Sequence, residues 1–149
     1  MSLESALENA YKSVLIANES EVRDVTFLLA MQTTEEPPEK MPLPNITLTA
    51  NARQEMVPNS GVYEVELRIE VSDAAVREDG AGSKLDTIFT KATRPLLYKP
   101  LPAMISQAGA SESLLCFGQP QRGEGNSISF GEGSVTRSMS ALFICSATI

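Results

Sequence analysis

Histidine is absent from the 149 residues, and its absence removes much of the usual polar chemistry at once. Neither a Ser-His-Asp nor a Cys-His relay can be assembled, nor a zinc site with imidazole ligands, nor an imidazole pH sensor. The two cysteines, Cys116 and Cys145, sit in the apolar runs LLCFG and LFICS and are not spaced as C-x-x-C. Free cysteine behaves as a small hydrophobe, so both are expected as buried thiols without metal or dithiol chemistry. None of the lysines has a serine three residues before it, which excludes the Ser-x-x-Lys nucleophile.

Gly80-Ala81-Gly82-Ser83-Lys84 follows a strand-like stretch and precedes a helix-like one, the setting of a phosphate loop. A P-loop needs glycine immediately before the lysine and a hydroxyl immediately after it, so that amides and ammonium converge on phosphate. Here Ser83 precedes Lys84 and Leu85 follows it, so a capped loop is expected instead. Glu35, Glu36 and Glu39 fall in EEPPEKMPLP, residues 35–44. Prolines hold such a segment extended and splay its carboxylates apart, whereas a hard cation needs converging oxygens. A solvated acidic loop follows. Glu64, Glu66 and Glu70 share one side of a strand, where alternation explains them as its wet face. The chain is therefore expected to be no enzyme, with no catalytic residue, no metal ligand and no cofactor.

The elements that hold these residues can be drawn from periodicity. Leu3, Leu7, Ala10 and Val14 make a helical stripe over residues 2–17, with Ser2 as cap and Glu4 in the first turn. VTFLLAM, residues 25–31, suits a short buried strand. Residues 46–56 and 62–72 read as two strands joined by a turn at Pro58 to Gly61. In the second, Tyr63, Val65, Leu67, Ile69 and Val71 alternate with Glu64, Glu66, Arg68 and Glu70, so the sheet is covered on one side there. A second helix is expected from Ser83 to Arg94, with Ser83 as N-cap, Leu85, Ile88, Phe89 and Ala92 as its stripe and Pro95 as its stop. Residues 101–108 suit a turn or short helix. LLCFG (114–118), NSISF (126–130) and residues 135–149 read as strands. Near 141–145 both sides of the last strand are apolar, as expected for a centre strand or for a face used by a partner. Residues 35–44 and 119–134 are polar and rich in glycine or proline, and are expected as mobile loops that touch partners.

The length suits one domain, residues 1–149, large enough to bury ~70% of its unfolded surface. No apolar run approaches a membrane span, and tryptophan is absent, so neither a membrane nor a base-stacking role is expected. The net charge of −7 opposes binding to nucleic-acid phosphates. Charge is also uneven: residues 1–79 hold fifteen acids and six bases, residues 80–149 four acids and six bases. A dipolar subunit that associates head to tail is one consequence. Arg94, Lys99, Arg122 and Arg137 are its candidate basic contacts, and Glu35, Glu36, Glu39, Glu78 and Asp79 their acidic counterparts on a neighbour. Leu142 and Ile144 are the candidate apolar adhesion patch.

The pattern as a whole resembles the tail terminator, or tail-completion, proteins of long-tailed phages and prophages. The resemblance lies in a short opening helix, SLESALENAYKSVL, and a long alternating strand that runs into a second helix, GVYEVELRIEVSDAA into KLDTIFTKATRPLL. LLCFG and RSMSALFIC supply a late strand pair. The resemblance implies an α+β fold, with a mixed or mainly antiparallel sheet and two or three helices packed on one face. It implies a structural virion protein, assembled in the host cytoplasm and located at the junction of tail and head. Its partners would be further copies of itself in a ring, commonly a hexamer, the tail tube protein and the head–tail connector, with DNA passing through the lumen without specific binding. The family carries no catalytic residues. The rival expectation is a small-ligand-binding or interaction domain of a non-phage cytoplasmic protein, with a pocket between sheet and helices.

Overall fold

A computed structural model of the chain describes residues 2–29, 43–74, 84–123, 127–130 and 133–147. Helix α1, Leu3–Asn18, begins where Ser2 accepts a hydrogen bond from the Ser5 amide at 3.1 Å. That bond satisfies one of the amides a helix leaves unpaired in its first turn. Leu7, Ala10 and Val14 are buried as the stripe requires, and Ala6, Tyr11 and Leu15 widen it. The strands are β1 (Thr26–Leu29), β2 (Asn45–Glu55), β3 (Val62–Ala74), β4 (Leu114–Arg122), β5 (Ser127–Phe130) and β6 (Ser134–Ala147). Helices α2 (Leu85–Thr93) and α3 (Leu101–Ala108) lie between β3 and β4.

The strands form one sheet in the order β1-β2-β3-β6-β4, with β5 also paired to β6. β1 runs parallel to β2, and the other described pairings are antiparallel. The fold is thus α+β with a mixed, mainly antiparallel sheet. β6 is central: β3 pairs along its whole length, β5 takes residues 135–138 of the other edge and β4 takes 141–147. On one face Val65, Leu67, Ile69 and Val71 of β3, with Met139, Ala141, Phe143 and Cys145 of β6, meet Leu7, Val14, Ile88 and Phe89 in one core. Helix α3 adds Leu101 and Ile105 to the same cluster. The Tyr11 ring meets Phe143 edge-on, with centroids 6.4 Å apart.

Two polar contacts close gaps that apolar packing leaves. The described residues of β1 pair with residues 45–48, and β2 runs on past them. Beyond them the Ala50 amide donates to Glu8 Oε2 at 2.7 Å, and Glu8 is itself buried. A buried amide without a partner costs about 1–3 kcal/mol, which accounts for a carboxylate on the apolar side of α1. At the hairpin between β2 and β3, Glu55 accepts from the Asn59 amide at 2.8 Å and the Gly61 amide at 3.0 Å. Asn59 and Gly61 both have positive φ, the left-handed backbone that asparagine and glycine tolerate best.

Three expectations change. Ser83 lies outside the described residues, and helix α2 has Lys84 at its N-cap position without a side-chain cap. Asp73, at the end of β3, accepts from the Lys84 amide at 2.9 Å and serves the helix from a distance. Residues 94–97 continue as a turn of 3-10 helix, since Pro95 ends the α-helical ladder but fits at the head of a new turn. Residues 119–134 are not one loop: 119–122 belong to β4 and 127–130 form β5. The β4–β6 register shifts between Phe117 and Gln121, which takes Pro120 out of the ladder where its missing N–H would be felt. Residues 30–42, 75–83 and 148–149, which include most of the proline-rich segment and the glycine loop, lie outside the described residues.

Candidate functional site

The candidate basic residues come from four different elements. Arg94 opens the 3-10 turn after α2, Lys99 precedes α3, Arg122 ends β4 and Arg137 sits in β6. Sheet alternation puts Arg137 on the helix side, in phase with Met139, and the register puts Arg122 opposite Ala141 on that same side. Arg94, Arg122 and Arg137 therefore converge on one cleft of about 410 Å³, lined also by Phe89, Thr93 and Leu97. Lys99 does not line it. Lys99 is exposed, and its carbonyl accepts a hydrogen bond from the Gln119 amide group.

The three arginines are held differently. The Arg137 guanidinium lies 4.5 Å from the centre of the Phe89 ring, and its Nη1 donates to Asp86 Oδ1 at 2.7 Å. Its Nε is buried without a hydrogen-bond partner among the described residues. Arg94 Nε is 3.5 Å from Glu19 Oε1, a buried carboxylate that also accepts from the Tyr98 hydroxyl at 2.6 Å. Burial and then that hydrogen bond push the Tyr98 pKa up. Arg122 reaches only the Met139 sulfur, at 4.0 Å, and has no carboxylate partner among the described residues. An unmatched guanidinium in a cleft floored by an aromatic ring suits carboxylate or other oxyanion contacts.

Leu142 and Ile144 lie on the opposite face of the sheet. The register sets Leu142 beside Glu66, and Ile144 between Glu64 and Phe117. Both are half-buried. Leu115 (51% exposed) and Phe117 (44%) extend the same apolar patch, and no described helix covers it. So the apolar and basic candidates occupy two surfaces, not one. The acidic candidates Glu35, Glu36, Glu39, Glu78 and Asp79 lie outside the described residues.

Sequence reading missed Leu115 and Phe117, although LLCFG has the same two-sided apolarity that singled out residues 141–145. It also missed exposed apolar side chains in the arginine cleft and on the strand next to it. Leu97 is 65% exposed, and Ile128 (55%) pairs directly with Arg137 across the β5–β6 ladder. Farther along β5, Phe130 is 80% exposed. An exposed aromatic in a short strand reads as core from pattern alone.

Both thiols are buried, as expected. Cys116 and Cys145 are free, buried and directly opposite each other on β4 and β6. The contact with Cys116, together with burial, pushes the Cys145 pKa far up, so that thiol stays protonated. Among the described residues no group of three His, Cys, Asp or Glu is placed to hold a metal ion. No described helix is long and apolar enough to cross a membrane. No protein-family model matches the chain, and no curated protein matches it significantly.

Proposed function

We propose that the chain is a structural assembly subunit of the tail-terminator kind, which caps a phage or prophage tail tube as a ring, commonly of six copies. In that role it stops tube growth, presents a docking surface to the head–tail connector, and lets DNA pass without specific binding. The observation that carries the reading is the apolar patch of Leu115, Phe117, Leu142 and Ile144 on the helix-free face of the sheet. Apolar area held at a surface beside carboxylates is the chemistry of a protein contact, since covering it yields roughly 25 cal/mol per Å². A ligand pocket would instead gather polar groups at the bottom of an apolar cavity. The arginine cleft offers a second and chemically different contact, and a subunit with two unlike surfaces can join its neighbours in a closed ring.

The test is tube assembly. A phage tail tube protein would be polymerised with and without the chain and imaged by electron microscopy. The proposal expects capped ends and an arrested length distribution when the chain is present. Unchanged length distributions with bare ends would overturn it.

A further inference from the structure

The two surfaces match each other as well as differing. On the helix-free face, Arg53 pairs with Glu66 at 3.7 Å and Arg68 with Glu70 at 2.7 Å. Glu64 on the same row has no ion-pair partner among the described residues, and it stands beside Ile144, with Phe117 on that residue's far side. In the cleft, Arg94 and Arg137 each have a carboxylate, whereas Arg122 has none among the described residues. Arg122 in turn shares the cleft with the exposed Leu97, and Arg137 beside it carries Ile128 on the neighbouring strand. Each surface therefore combines one unmatched charge with uncovered apolar side chains, and the charges are opposite.

We infer that the arginine cleft of one copy receives the Glu64 row of the next, so that copies join head to tail through opposite faces of the sheet. The inference deepens the ring reading and rests on it, and it names the two surfaces that meet. Glu64 supplies the carboxylate that Arg122 lacks, and the Phe117–Ile144 patch covers Leu97 and Ile128. A contact between unlike surfaces repeats in one direction and closes when the rotation allows. The two unmatched charges set orientation and speed of encounter, while the apolar patches hold the contact. A small free oxyanion is a poorer occupant, because it would leave Leu97 and Ile128 uncovered.

The experiment uses the full chain with Arg122→Glu and Glu64→Arg, each checked for folding by circular dichroism. Self-association is followed by sedimentation velocity at low and high salt, and ring formation on tube ends by electron microscopy. Each variant alone is expected to associate roughly tenfold or more weakly than the natural chain, because like charges then face each other. An equimolar mixture is expected to recover association. In it the intact Glu64 row of one variant meets the intact Arg122 of the other, and the exchanged pair also carries opposite charges. Should a charge reversal impair folding, Arg122→Gln and Glu64→Gln take its place with an expected loss of roughly threefold. If the natural chain forms rings and the variants match it, or if mixing restores nothing, the assignment of these surfaces falls while the ring reading stands. A natural chain that stays monomeric in solution and on tube ends overturns both.

Discussion

On β6 the side chains of Ala141, Phe143 and Cys145 turn toward the helices, while Leu142 and Ile144 turn away. The first set is fully buried and the second only half-buried. The difference comes from what lies opposite. On the helix side three helices supply apolar partners, and every second residue of β3 is aliphatic. On the other side β3 presents Glu64, Glu66, Arg68 and Glu70, and β4 contributes Leu115 and Phe117 over one end only. Two faces of one strand with equally apolar residues thus have different roles. One is a core, and the other is a half-exposed apolar patch.

The largest expected effect tests the core face. Phe89 is 4% exposed and floors the arginine cleft from below while packing among the sheet residues. Phe89→Ala should lower unfolding stability by about 3–5 kcal/mol through lost burial and a cavity. Urea unfolding followed by circular dichroism measures it. A loss under about 1 kcal/mol would mean that the helix-side core is not the stability centre.

Next comes Glu8. Glu8→Ala removes the acceptor of the buried Ala50 amide, and is expected to cost about 1–3 kcal/mol. Hydrogen exchange at the Ala50 amide should accelerate with it. Unchanged stability and exchange would show that water reaches the β2 edge without difficulty.

These two residues also mark what was legible in the sequence. Phe89 could be placed in the core because its neighbours Leu85, Ile88 and Ala92 repeat at helical spacing. Glu8 could not, because its partner is 42 positions away on another element, brought to it only by the tertiary fold. The same division runs through the candidate site. Leu142 and Ile144 announced themselves by breaking the alternation seen on β3. The meeting of Arg94, Arg122 and Arg137 depends on the register shift at Phe117–Gln121 and on the turn after α2, and neither has a local signature. The start of α2 differs for the same reason: Asp73 reaches it from the end of β3.

A smaller effect appears at alkaline pH. The Tyr11 hydroxyl is fully buried and donates to the Ala92 carbonyl at 2.6 Å. Burial raises its pKa well above the ordinary value of 10.0. A folded-state value raised above the unfolded one leaves stability intact below pH 10.0 and erodes it above, because only the unfolded chain then ionises freely. Tyr98 is shifted in the same direction. Tyr11→Phe should cost about 1 kcal/mol at neutral pH and flatten the alkaline decline. Urea unfolding at a series of pH values reads both, and an unchanged decline would place its origin elsewhere.

The smallest expected change in stability belongs to the helix-free face, and it decides the comparison. Phe117 is 44% exposed, faces Ile144 and sits next to the register shift, so its ring is only partly surrounded by its own chain. Phe117→Ser should alter unfolding stability by less than about 1 kcal/mol, because much of the ring is already in water. The same substitution removes an aromatic anchor from the patch, and such anchors carry an outsized share of binding energy. Self-association or tube capping should therefore fall steeply while the melting curve barely moves. A stability loss as large as that of Phe89→Ala would make the patch part of the molecule's own core. Normal capping by a stable Phe117→Ser chain would leave the patch without a partner and the two faces without the division of labour drawn from them.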